Sequence, residues 1–501
     1  MRISLPVHIP LSRVVIFAIL LFLLEVYQGT SLLFALAALV FIVVAGITFN
    51  LAGGLSRPSG GYVFFYALLA VIAGLVTKAA LGEPADSNLE LPLLTMEVYA
   101  GTMISMLIAV LVARKLTVKR PLLGKLVPDA EMGHAAYGCL VTGLALVVLG
   151  MFEPAQAGGL LSALQQVNRF LPMAMILGIV YEMRRTGGRR SVNPAVALSG
   201  LAIFGQGLLG FSKEGIFTPV ACWFIAVASQ GYRFSKAQIV GWLCGVFIMV
   251  HYLVPYSQYG RNLVGDEIGE RIHVALTLLS DLDDTRAKYK ENAEDSTRKG
   301  YFNKDQGFFD RLQMILPDDS LHALTARVGP IGPAPVIFSF ENLVPRFLWP
   351  DKPTIKWGNL YARQMGLISP DDTTTGISFS PAGEAFHIDR WFGVFFWAPL
   401  IWTMLFVVFD SLCGDARRAP WGLLALAIFA HAAPEGGITG PVYFMSYIAA
   451  GIVFAALAAA YVMPLLGTLI AGPARPNVIP GTRFRGPTRP VRSLPSSTTG
   501  Q

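Results

Sequence analysis

The sequence predicts an all-α integral membrane protein that crosses the bilayer about twelve times and carries one large outer loop. Of its 501 residues, 54% are hydrophobic and only 14% are charged, and the mean hydropathy is +0.55. Such a composition is typical of polytopic membrane proteins and excludes an ordinary soluble domain. The other two observations are the recurrence of long apolar runs and the uneven placement of lysine and arginine between them.

Twelve apolar runs meet or approach the length of about 20 residues that a spanning helix needs. They are 11–27, 31–49, 61–80, 96–113, 134–152, 169–183, 192–210, 214–230, 238–256, 392–411, 420–433 and 441–463. The sixth and eleventh are short. The predicted organisation is therefore nine helices in 1–256, an outer loop in 257–391, three helices in 392–463 and a basic tail in 464–501.

Lysine and arginine placement predicts the orientation of these spans. Alternate loops, beginning with the N-terminus, carry 21 of the 39 basic residues, whereas the intervening short loops carry 3. The remainder lies in 257–391, a segment long enough to be translocated whatever its charge. Cytoplasmic loops are the ones enriched in Lys and Arg. Both termini are therefore expected in the cytoplasm, and the long loop outside.

The outer loop is expected to contain amphipathic helices. Apolar residues recur at helical spacing over 268–282, and a second apolar face, over 308–316, is expected to end at Pro317. None of the four cysteines lies in this loop, so we expect neither a disulfide framework nor a cysteine-based metal site there. From Gly472 onward the tail has too little apolar content to fold, and its arginines favour anionic lipid rather than nucleic acid.

Ionisable side chains gather on the predicted outer side. Lys213 lies in a tight turn, His431 in a second turn, and the loop supplies Arg346, Lys352, Arg363, Glu384 and His387. Charges at membrane depth are costly and usually face a protein interior or a cavity. Each could instead be a snorkelling residue or part of an ion pair, such as Glu384 with Arg390 or Arg363. A set of cations gathers stably around a shared anion, and arginine binds phosphate through its planar fork.

Two motifs carry a resemblance to a known family. The segment 345–353 reads Pro-Arg-Phe-Leu-Trp-Pro-Asp-Lys-Pro, and about thirty residues later Gly383-Glu384-Ala385-Phe386 leads into a span. This pattern, with the twelve-span plan, resembles the bacterial O-antigen and exopolysaccharide repeat-unit polymerases. The motifs cover about fifty residues, and the architecture covers nearly the whole chain. Where the family often has Asn and Gly shortly after that Glu, this chain has His387-Ile388-Asp389-Arg390.

The resemblance implies a GT-C-type glycosyltransferase of the bacterial inner membrane that needs no cofactor. Its substrates would be donor and acceptor glycans carried on undecaprenyl pyrophosphate, and its partners could include membrane lipid, a chain-length regulator and a flippase. On this reading Arg346 and Lys213 bind the pyrophosphate, followed by Arg363 and Lys352. Glu384 is the first candidate for the base or orienting group, followed by His387 and His431.

Two alternatives stay open. An O-antigen ligase uses the same donor but transfers the polymer to lipid A core. A transporter or flippase of lipid-linked glycan belongs to another class, and it would predict internal repeats and ionisable residues near the middle of the membrane. We see no convincing repeat between the two halves of the chain, and the charged residues cluster at the outer ends of the spans. An enzyme is therefore the favoured class.

Overall fold

The computed structural model describes most of the chain as α-helix. The described residues are 2–124, 126–152, 164–165, 168–263, 265, 268–294, 300–304, 306–307, 309–344, 348–349, 351–353, 355–373 and 375–472. Within these ranges the backbone forms no β-strand, only two isolated bridges, Arg2 with Arg233 and Phe379 with Gly436. The all-α prediction is thus confirmed for the described part of the chain.

We number the principal helices of the described residues in chain order. They are α1 Leu11–Tyr27, α2 Leu32–Ala52, α3 Pro58–Leu81, α4 Pro92–Leu116, α5 Met132–Phe152, α6 Phe170–Arg185, α7 Pro194–Leu209, α8 Lys213–Ser229, α9 Lys236–Arg261, α10 Ile268–Ser280, α11 Leu282–Glu294, α12 Ile315–Val328, α13 Ala334–Glu341, α14 Trp357–Gln364, α15 Pro381–Cys413, α16 Pro420–Glu435, α17 Gly440–Tyr461 and α18 Met463–Ala471.

Seven helices of the described chain are long and apolar enough to cross a membrane: α2, α3, α4, α5, α9, α15 and α17. Each contains most or all of one predicted span, so the membrane-protein prediction is confirmed at this level. The other five predicted spans fall on α1, α6, α7, α8 and α16, which have 16 or 17 residues. At 1.5 Å per residue these measure about 25 Å, slightly less than the hydrocarbon core.

Prolines and capping side chains set where several of these helices begin. Proline occupies the first position of α3, α4, α7, α15 and α16, where its missing N–H is not needed. Asn193, Ser212, Ser235 and Ser380 each accept a hydrogen bond from the backbone of the helix that follows. Pro317 also lies in a first turn, that of α12, so the expectation that it ends a helix is wrong.

One end of the helix bundle collects the arginine-rich loops, and we call it the basic end. Ile3 N–H donates to the Tyr232 carbonyl over 3.0 Å, and Leu55 N–H donates to the Pro6 carbonyl over 2.9 Å. Arg184 pairs with Asp129, and the carbonyl of Arg417 accepts a hydrogen bond from Gln230. The loops that carry the predicted inner charges therefore contact one another.

The opposite end, which we call the cap end, collects the other turns and α12. Ala85 N–H donates to Thr30 Oγ1 over 2.8 Å, and Asn88 Nδ2 donates to the Tyr301 carbonyl over 3.1 Å. Leu91 N–H donates to Asp319 of α12 over 2.9 Å. The segment 257–391, predicted as the outer loop, thus packs against the turns of this end.

The helix α15 is interrupted two turns after it begins. Asp389 and Arg390 leave helical geometry, and Arg390 takes φ 48°, a left-handed value that is costly for a residue with a side chain. Ile331 and Gly332 donate their N–H groups to the carbonyls of His387 and Ile388, each over 2.9 Å. These bonds satisfy carbonyls that the break would otherwise leave unpaired. The predicted span at 392–411 begins just after the break.

Candidate functional site

A buried carboxylate on α12 joins three helices at the cap end. Asp318 is fully buried and accepts hydrogen bonds from Tyr99 Oη of α4 over 2.5 Å and from Ser380 N–H over 2.9 Å. The Ser380 hydroxyl, which caps α15, also donates to Asp318. At Gly383 a Cβ atom would overlap the Asp318 carboxylate, so only glycine admits this approach. Burial raises the pKa of Asp318 to about 6, although the hydrogen bonds oppose the shift.

The next residue, Asp319, fixes the beginning of α4. Its carboxylate accepts hydrogen bonds from Glu90 N–H over 2.6 Å, from Leu91 N–H over 2.9 Å and from Thr95 Oγ1 over 2.9 Å. A carboxylate at a helix N-terminus is favoured by the helix dipole and by unpaired N–H groups. Asp319 therefore holds α12 and α4 together at a second point.

The threonine that Asp319 binds also sets the tautomer of His322. Thr95 Oγ1 has one proton, which it donates to Asp319, so at 2.9 Å it accepts from Nδ1–H of His322. The other ring nitrogen, Nε2, then carries a lone pair, and it is buried without a hydrogen-bond partner in the described chain. Burial lowers the pKa of His322 to about 3, with a smaller contribution from His387.

His387 of α15 is arranged in the same way. Thr325 Oγ1 donates to the Leu321 carbonyl over 2.8 Å, as threonines in helices often do, so it accepts from Nδ1–H of His387 at 2.8 Å. The Nε2 atom of His387 is also buried without a partner among the described residues. We call His322 and His387 the histidine pair. Both imidazoles present an unprotonated Nε2, the form that acts as a base or a ligand.

Glu384, the first candidate from the sequence, holds a neighbouring loop. Its carboxylate is buried and accepts hydrogen bonds from Thr439 N–H and Thr439 Oγ1, both over 3.0 Å. A Cβ at Gly437, which has φ 58°, would overlap this carboxylate. Glu384 therefore ties α15 to the turn between α16 and α17 through Thr439, rather than through Arg390 or Arg363. Its catalytic role stays a prediction.

The remaining candidates lie in other parts of the cap end. His431 Nε2 is 4.0 Å from Glu214 Oε2, next to Lys213, so α16 and α8 bring Lys213 and His431 into one neighbourhood. Lys352 is buried, and its ammonium donates to the carbonyls of Asn342 and Val344 over 3.0 and 2.8 Å.

Two arginines complete the set from the sequence. Arg363 of α14 donates to the Pro370 carbonyl over 3.4 Å. Arg346 lies outside the described residues, so its predicted pyrophosphate contact stays a prediction. Of the seven candidates, the structure brings Glu384 and His387 together on α15, and Lys213 and His431 together between α8 and α16.

Sequence reasoning missed the residues that organise the histidine pair. Asp318, His322 and Thr325 are spaced four and three residues apart, which places them on one face of α12. That spacing could have been recognised in the sequence. The partners could not be recognised, because Thr95 is 227 residues from His322 and Ser380 is 62 residues from Asp318 along the chain.

Comparison with protein-family models, with curated proteins and with solved structures gives no match to this chain. Within the described ranges, no group of three or more His, Cys, Asp or Glu side chains is placed to hold a metal ion. The site is therefore interpreted from its own geometry.

The low pKa of His322 predicts a pH dependence of stability. In the unfolded chain the imidazole takes up a proton near its ordinary pKa of 6.5, but in the folded chain only near 3. The unfolded state binds more protons between these values, so stability falls as the pH drops through this window, by up to about 3 kcal/mol at pH 4. Thermal unfolding of the detergent-solubilised protein checks this.

The control is the His322→Gln variant, which lacks the titrating group. Asp318 has a raised pKa and contributes in the opposite direction, but it does so equally in both proteins. We expect the wild type to lose more thermal stability than His322→Gln between pH 6.5 and pH 4. Parallel pH profiles for the two proteins would contradict a buried, neutral His322.

Proposed function

We propose that the chain crosses the membrane twelve times, with the basic end in the cytoplasm and the cap end outside. The shorter helices α1 and α16 support this reading because each runs between the two ends. Helix α1 leaves the N-terminal contacts of the basic end and reaches Thr30, whose hydroxyl receives Ala85 N–H. Helix α16 starts beside the basic loop 414–419 and ends at Gly436, which is bridged to Phe379. The positive-inside rule assigns the basic end to the cytoplasm.

A topology assay tests this arrangement. We expect a periplasm-dependent reporter fused after Asn292 in α11 to be active, and the same reporter fused after Gly472 to be inactive. A cytoplasm-dependent reporter should give the opposite result at both positions. Activity of the cytoplasmic reporter at Asn292 would place the histidine pair on the wrong side for periplasmic chemistry.

We propose further that the protein is a glycosyltransferase acting on lipid-linked glycans at the cap end. The observation that carries this proposal is the histidine pair: two buried, neutral imidazoles with unprotonated Nε2 atoms, one on α12 and one in the second turn of α15. A neutral imidazole with a free lone pair is the form that removes a proton from a hydroxyl group. Such a site at the outer membrane boundary suits a sugar whose lipid carrier lies in the bilayer.

The proposed step is the transfer of a glycan from pyrophosphate to a hydroxyl group. The acceptor hydroxyl oxygen attacks the anomeric carbon of the donor sugar, and the bond from that carbon to the pyrophosphate oxygen breaks. The bonding electrons leave with the lipid pyrophosphate, and His387 Nε2 takes the hydroxyl proton. Lys213, Lys352, Arg363 and Arg346 are the proposed cations that stabilise the charge on the leaving group.

Among glycosyltransferases we propose a repeat-unit polymerase of GT-C type, in line with the family resemblance of residues 345–353 and 383–386. Undecaprenyl pyrophosphate would carry both substrates, and no cofactor enters the step. A ligase would use the same chemistry with lipid A core as acceptor. A transporter fits less well, because Glu384 and His387 lie in the first two turns of α15 and His322 lies on α12, outside the predicted spans, rather than at mid-membrane depth.

The profile of lipid-linked glycans in a deletion strain tests the proposed activity. The His387→Gln variant tests the proposed general base. We expect the deletion strain to accumulate single capped repeat units, and wild-type protein to restore polymer. His387→Gln should be inserted normally but should polymerise about 10²- to 10⁴-fold more slowly, the usual contribution of a general base. The matched control is His273→Gln, at an exposed position on α10, which should restore full polymer.

Two results would contradict the proposal in different ways. Full-length polymer that remains unattached in the deletion strain would identify a ligase. Normal polymer from the His387→Gln variant would remove His387 from the chemistry while leaving the glycosyltransferase assignment to be carried by Glu384.

A further inference from the structure

The cap end of α1 contains a carboxyl group with no protein partner in the described chain. Glu25 lies in the last turns of α1 and is fully buried. Neither of its carboxyl oxygens has a hydrogen-bond partner among the described residues. A carboxylate buried in this way costs much free energy, because it has lost its hydration and forms no hydrogen bond with the described residues. Neither the histidine pair nor any proposed catalytic contact involves this group.

A second unpartnered acceptor lies one helical turn away. Gln28, the residue that caps α1, donates its Nε2 hydrogen to the Ala79 carbonyl over 2.8 Å, which fixes the orientation of the amide. Its Oε1 atom is then an acceptor, and it is buried without a partner in the described structure. Side chains three residues apart on a helix are neighbours. The turn therefore holds three acceptor oxygens that lack a donor.

The donors that the structure describes around this turn are engaged elsewhere. Tyr301 Oη donates to the Ala85 carbonyl over 2.7 Å. Lys78 Nζ is 3.2 Å from Glu83 Oε2 and donates to Ser87 Oγ over 2.5 Å. The ionisable groups that act on this neighbourhood are Asp86, Tyr301, Glu83 and Lys78. Asp86 is an acid like Glu25, so it disfavours a second negative charge.

We propose that Glu25 is a proton-binding site, whose carboxyl group holds a proton at neutral pH and donates it to Gln28 Oε1. One proton removes the buried charge and also supplies the missing donor. The ligand chemistry is thus that of a proton rather than a metal ion, because Ca²⁺ and Mg²⁺ take six or more oxygen ligands and only three acceptors are unpartnered here.

The bound proton has a structural consequence at the cap end. Just beyond Gln28, Thr30 accepts from Ala85 N–H over 2.8 Å, and Ser31 N–H donates to Asp86 over 2.9 Å. These contacts dock α1 onto the turn that also receives Tyr301 of the outer segment. Loss of the proton places a second negative charge beside Asp86 and weakens this docking. The inference is independent of the proposed glycosyltransferase activity.

Infrared difference spectroscopy of the purified full-length protein tests the proposal. We expect a carbonyl stretch of a protonated carboxyl group at pH 7 that disappears in Glu25→Gln and persists in Glu97→Gln. Glu97 is the matched control because it is an exposed glutamate on α4. Glu25→Gln keeps the size and neutrality of the proposed state, so its thermal stability at pH 7 should equal that of the wild type.

A second variant tests the proposed hydrogen bond from Glu25 to Gln28 without removing the Glu25 carboxyl group. Gln28→Leu deletes the acceptor, so the carbonyl band should remain but shift to higher frequency as the hydrogen bond is lost. The proposal is overturned if Glu25→Gln removes no band at pH 7. It is also overturned if the wild-type band appears only after sodium is withdrawn, since the site would then hold a metal cation.

Discussion

The hydrogen bonds of Asp318 are the interaction on which the rest of the site depends. This one carboxylate binds the capping serine of α15 and the Tyr99 hydroxyl of α4. It therefore fixes where α12 lies on the bundle. His322 and Thr325 follow on the same face of α12, and His387 follows Ser380 on α15. If Asp318 were removed, buried donors on two helices would be left unpaired, at about 1–3 kcal/mol each.

The geometry of the histidine pair follows from the count of protons on two threonines. Each hydroxyl has one hydrogen: Thr95 gives it to the Asp319 carboxylate, and Thr325 gives it to the Leu321 carbonyl one turn back in its own helix. Each must then accept from an imidazole Nδ1. The two histidines consequently share one tautomer, and both Nε2 atoms are left as bases. Burial keeps His322 neutral, because a charged imidazole at this position would lose its hydration.

The membrane class could be predicted from the sequence because composition and apolar run length are local properties. The break in α15 could not, because Asp389 and Arg390 leave the helix only where Ile331 and Gly332 supply compensating hydrogen bonds. An ion pair of Glu384 with Arg390 or Arg363 was the structural alternative that the sequence offered to a catalytic role, but the observed partner is a different residue. It is Thr439, which lies 55 residues further along the chain. Pro317 was interpreted as a helix end because a proline can either end a helix or lie in its first turn. The start of α12 at Ile315 shows that Pro317 lies in the first turn.

The tautomers of the histidine pair test the central claim most directly. The chain has 7 histidines, so ¹⁵N-histidine labelling with His322→Gln and His387→Gln for assignment is practical. At pH 7 we predict that both residues carry the proton on Nδ1, with Nε2 unprotonated. Protonation on Nε2, or a charged imidazolium at either position, would contradict the proton count on which the proposed base depends.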